Sequence, residues 1–176
     1  QSEAHSWLGR QPQPLHRVDL AALRAFLLLH QEDFEAYAAL PASIWQKWAN
    51  VIVGLPRHGV VDRCPDALAV TRDALARAPA EFIGTVVALI RGEKALERSA
   101  AGHPNSALRF HILRDLEGCW DDEGLKTAIF EEMIAADATP AEYAVLLDAL
   151  LGVGFQPAID HALSALSEPG NDVLPI

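Results

Sequence analysis

Apolar residues recur along this chain at helical spacing. Ile44, Trp48, Val51, Ile52 and Leu55 follow one another in steps of four, three, one and three, which places them on one stripe of a helix ending near Gly54. Leu20, Leu23, Phe26 and Leu27 repeat the pattern behind Asp19, read as an N-cap. Tyr143, Leu146, Leu147 and Leu150 form a third stripe, closed by Gly152 and Gly154. In the run from Asp122 to Ala136, Leu125, Ala128, Ile129 and Met133 share one face, while Phe130 and Ile134 lie nearly opposite. A helix apolar on two sides is sandwiched between neighbours.

Proline marks the starts of these runs. Leu40-Pro41-Ala42, Cys64-Pro65-Asp66, Ala78-Pro79-Ala80, Thr139-Pro140-Ala141 and Gln156-Pro157-Ala158 each precede a periodic segment. The first helical position tolerates proline because its N–H would be unpaired there and its fixed φ suits the helix. Thr139 and Glu142 have the spacing of a capping box. These signals predict helices near 19–30, 32–40, 42–53, 66–78, 80–98 with a break allowed at Gly92, 105–117, 122–136, 140–151 and 157–166. No segment alternates apolar and polar over a useful length, so the class is all-α. The arrangement expected is a right-handed stack of antiparallel helix pairs, either α-solenoid-like or an orthogonal helical bundle. Residues 1–17 read as an extended segment, 18–167 as a single helical domain, and 168–176 as a tail.

The chain has 176 residues, half of them hydrophobic and 22% charged, which is globular composition. No apolar run approaches the ~20 residues that span a bilayer. Cys64 and Cys119 stand far apart in no metal-ligand spacing, which suits a reducing, cytoplasmic setting, with a single disulfide as the alternative. The chain begins with Gln1, consistent with a processed product or a piece of something longer.

The net charge of −10 is unevenly placed. Through Trp120, thirteen acidic and thirteen basic side chains cancel; from Asp121 onward eleven acids face one base, Lys126. Such a surface repels nucleic acid, which needs clustered Lys and Arg. It reads either as a solubilising face or as a dock for another protein with a basic surface. Glu131 and Glu132 are expected on an exposed strip of their helix and are candidate binding residues.

Residues 65–167, drawn as pairs 65–98, 104–136 and 140–167, resemble the degenerate helix-pair arrays called HEAT-like repeats. Pro79-Ala80-Glu81-Phe82 echoes Pro140-Ala141-Glu142-Tyr143, and Ala128-Ile129 with Met133 echoes Ala158-Ile159 with Leu163. The resemblance implies a binding or sensing scaffold, as in the sensor arms of bacterial signalling ATPases; the ATPase itself is not in this chain.

Candidate chemistry is sparse. Gly152-Val153-Gly154 lacks the third glycine of a dinucleotide loop, and Gly54 with Gly59 is followed by Val60 where a phosphate loop needs Lys. Asp121-Asp122-Glu123 suits the first turn of a helix better than a metal site, which needs carboxylates one turn apart. No segment supplies three convergent zinc ligands. Neither a metal nor a cofactor is therefore expected. Trp45, Arg57 and His58 offer the residue types of an interaction hot spot, although core packing is the favoured reading of Trp45, at the edge of its stripe. The expectation is a non-catalytic interaction or sensing scaffold belonging to a larger regulatory protein. The alternative is a small helical enzyme or ligand-binding domain with a pocket around His103, His111 and Asp115.

Overall fold

The structure is a computed structural model that describes residues 17–54, 65–99 and 111–167. The described residues are all-helical: α1 (Arg17–Glu32), α2 (Phe34–Ala38), α3 (Ala42–Gly54), α4 (Pro65–Arg77), α5 (Pro79–Ser99), α6 (His111–Asp115), α7 (Glu123–Met133), α8 (Pro140–Gly152) and α9 (Gln156–Ser167). Pro65, Pro79 and Pro140 are the first residues of their helices, and Pro157 is the second of α9. Pro41 stands just before α3, where its carbonyl accepts from Ile44 N at 2.9 Å.

Three local expectations need correction. Helix α1 starts at Arg17, so Asp19 is not its cap but lies in the first turn, where its carboxylate meets the positive end of the helix dipole. Helix α5 runs unbroken through Gly92. The helix expected over 105–117 is described only as α6, and residues 116–121 form turns in which Gly118 adopts a left-handed φ of 81°. The extended segment, the tail and residues 105–110 lie outside the described residues, apart from Arg17.

Elements α1 to α5 form one body, with α3 touching α1, α4 and α5. At its centre is an aromatic stack. Trp45, fully buried, lies 4.9 Å from the Phe26 ring and 5.3 Å from Tyr37, and the Arg77 guanidinium covers its face at 5.1 Å. Polar ties surround the stack. Tyr37 Oη donates to Asp73 Oδ2 at 2.8 Å, Arg77 donates to the Ala38 carbonyl at 3.0 Å, and Gln31 donates to Asp66 at 2.7 Å. Burial, reinforced by the Asp73 carboxylate, raises the Tyr37 hydroxyl pKa, so the group stays a donor. The Gln31 amide and then the His30 ring, 2.9 Å away, hold the Asp66 carboxyl below its ordinary range.

From α5 the packing proceeds in chain order, α5 on α7, α7 on α8, α8 on α9. Helix α7 lies between α5 and α8: Leu125, Ile129 and Met133 are fully buried, and Phe130 on the other flank meets Phe155 at 5.9 Å between ring centres, whereas Ile134, expected on that second apolar face, falls at the C-cap and is exposed. The α5–α7 seam contains charge. Glu132 accepts from Arg91 at 2.7 Å, while Lys94 Nζ lies 3.5 Å from its carboxylate and donates to its backbone carbonyl at 2.8 Å. Lys94 and Glu132 are both buried.

Removing one partner of a buried pair leaves an uncompensated charge, which typically costs 3–5 kcal/mol. Glu132→Ala is expected to lower unfolding free energy by about 3 kcal/mol, and exposed Glu131→Ala by less than about 0.5 kcal/mol, in urea titrations. The Thr139 cap gives a milder expectation. Its hydroxyl accepts from Glu142 N at 3.3 Å and Glu142 reciprocates at 2.8 Å. Thr139→Ala should cost about 1 kcal/mol by the same measurement.

Candidate functional site

Of the residues singled out from the sequence, the three whose side chains are described, Trp45, Glu131 and Glu132, do not converge on one site. Trp45 is fully buried beneath Phe26, Tyr37 and Arg77, and its Nε1 meets no acceptor. Its place is the core, because the stripe edge on which it sits faces α1 and α2. Arg57 and His58 lie outside the described residues, as do His103 and the side chains of His111 and Asp115. Glu131 is exposed on α7. Glu132 is not, because it points into the α5 seam and is neutralised by Arg91 and Lys94. The pair therefore does not form a common docking strip.

Other chemistry-bearing groups have structural duties. Asp122 caps α7, its Oδ1 accepting from Leu125 N at 2.7 Å. Glu123 pairs with Lys126, whose ammonium also sits 5.6 Å from the centre of the Phe155 ring. Cys119 is buried in the turn after α6. Burial pushes its thiol up to about 11, with Asp122 adding to the effect and Arg72 opposing it. A thiol so held is a poor nucleophile at neutral pH.

What remains is a surface. Helix α8 is apolar around most of its circumference: Leu146 and Leu150 are buried, Tyr143, Val145 and Leu147 are half-buried, and Leu151 is exposed. An all-round apolar helix is ordinarily covered on every side. Helix α9 buries only Ala158; Ile159 is half-buried, while Leu163 and Leu166 are 57% and 67% exposed. Those three follow steps of four and three, hence share one stripe. The inner flank of α9 is fixed by His161, whose ring lies 5.8 Å from Phe130 and 5.9 Å from Tyr143. Along α8 and α9 themselves the Lys, Arg, Asp and Glu charges have one sign. Residues 140–167 contain Glu142, Asp148 and Asp160 and no Lys or Arg; Asp148 and Asp160 are exposed, whereas Glu142 is taken up by its cap.

No other candidate arises from the described residues: they contain no group of three or more His, Cys, Asp or Glu side chains placed to hold a metal ion, and no helix long and apolar enough to cross a membrane. No family model, no curated protein and no solved structure matches the chain.

The Cys119 thiol provides a test of core closure. In a Cys64→Ser background, folded protein at pH 8 should react with a disulfide reagent about a hundredfold more slowly than urea-unfolded protein, because two pKa units suppress the thiolate about that much. The ordinary value is 9.0 and the folded value about 11. The stability this group contributes is thus fully present below about pH 9 and lost as pH rises through about 11.

Proposed function

We propose that the protein is a non-catalytic interaction or sensing scaffold, a stack of HEAT-like helix pairs that docks another protein with a basic, partly apolar surface. The observation that carries this reading is the exposed apolar surface of α8 and α9: Leu151 on α8 and Leu163 and Leu166 on α9 are exposed, each helix adds an exposed carboxylate, Asp148 or Asp160, and neither carries a Lys or Arg. Leucines give a partner apolar area to bury, and carboxylates select its sign and steer its approach. The chain-order packing from α5 to α9, with α7 held between two neighbours, supports the repeat reading. Helix pairs stacked in this way present faces rather than enclosed reaction sites. The acidic dock moves accordingly from Glu131 and Glu132 on α7 to the last two helices.

A photoreactive amino acid placed at position 163 should cross-link to a partner protein in the cells that make this chain. The same group at exposed Ala76 on α4 serves as the control. The cross-link should disappear when Asp148 and Asp160 are both changed to Lys, with the circular dichroism spectrum unchanged. Equal labelling from both positions would refute the docking face.

A further inference from the structure

A second apolar face is exposed at the other end of the described chain. On α1, Leu23 and Phe26 are buried, yet Val18, Ala21, Ala25 and Leu28 are all exposed, Val18 at 55% and Leu28 at 57%. Their steps of three, four and three make a continuous seam along the helix, the spacing by which two helices pack side by side. Two alanines in that seam allow a close approach. Arg17 and Arg24, both exposed and seven residues apart, run along one border, and Glu32 closes the far end. The α1 face is thus apolar with a basic border, whereas the α9 face, Ile159, Leu163 and Leu166 beside Asp160, is apolar with an acidic one.

We propose that these two faces are each other's partners, the α9 face of one copy of this chain taking the α1 face of a second copy, head to tail. The inference rests on the reading of α9 as a docking surface and names its occupant. Charge decides between the possible self-contacts. Two α9 faces together bring no Lys or Arg to Asp160, and two α1 faces offer Arg17 and Arg24 at most Glu32 in return. Only the mixed contact sets Arg17 and Arg24 against Asp160. Both seams have the same three-and-four spacing, so their ridges can interleave. Such a contact is heterologous. Each copy in a pair keeps a free face, so the assembly grows past a dimer, into a ring where the rotation between copies closes and an open row where it does not. One helix laid against another buries less than the ~1,200 Å² of a standard interface, so the association is weak and reversible.

The test is sedimentation of the whole chain from about 5 to about 500 µM, the range in which weak contacts populate. The average mass should rise continuously past that of a dimer at about 0.05 M salt, with association at least severalfold weaker at about 0.5 M. Leu28→Asp, which spoils the α1 face, and the double variant Leu163→Asp with Leu166→Asp, which spoils the α9 face, should each stay monomeric. Mixed, they should form a one-to-one dimer that grows no further, since one intact face of each kind remains. All three leucines are exposed, so folding should survive, and circular dichroism checks it; Ala21→Glu replaces Leu28→Asp if it does not. A wild-type chain that is monomeric at the highest concentration overturns the proposal, and so does either folded variant associating alone. A monomeric chain that still cross-links to another protein from position 163 would refute self-stacking while leaving the docking face intact.

Discussion

The two parts of this molecule share one apolar core, and a buried cluster of charge pins the seam between them. Helices α1 to α5 surround α3, and the later helices reach that body through the α5–α7 seam, where Glu132 meets Arg91 and Lys94. Removing a carboxylate and an ammonium from water is costly, and their attraction repays that only with good geometry. Here the guanidinium delivers two donors to one oxygen, and the ammonium also caps a backbone carbonyl at the end of α7. An apolar seam could slide by one turn at modest cost. A buried carboxylate between two cations has one register, so the ion pairs fix where α7 lies on α5.

The helices were legible in the sequence because their determinants are local. A proline at the first position, a Thr-x-x-Glu cap or an apolar residue every three or four places acts within one or two turns, and tertiary context has little to override. Asp19 is not the cap because Arg17 and Val18 extend the helix ahead of it, and a carboxylate is equally welcome inside the first turn. Glu131 and Glu132 illustrate the opposite case. They are adjacent and chemically identical, and only the cations that α5 brings, some forty residues earlier in the chain, separate the exposed one from the buried one. Trp45 was ambiguous for the same reason, since its stripe edge becomes interior only when α1 and α2 fold over it.

The surface bearing the functional reading was half legible. The excess of acid after Trp120 is plain in the chain, but caps and ion pairs absorb Asp122, Glu123, Glu132 and Glu142. The charges left to meet a partner include Asp148 and Asp160, beside leucines that periodicity alone assigns to packing. A helix stripe in sequence does not reveal whether anything covers it. The exposed seam on α1 is not legible in the chain because Leu20, Leu23, Phe26 and Leu27 account for that helix without it.

Packing in chain order also sets how the molecule comes apart. Each of α7, α8 and α9 is held mainly by its predecessor, so a disturbance at the far end need not be felt in the aromatic stack around Trp45. Opening free energies in such an array fall toward the end with fewest neighbours, and α9, with one buried residue, is the first to let go. Amide protons there exchange with solvent through brief fraying, while those of α3 wait for the whole body to open. The face offered for contact is thereby also the least rigid part, and whatever settles on it tightens the last two helices as it binds.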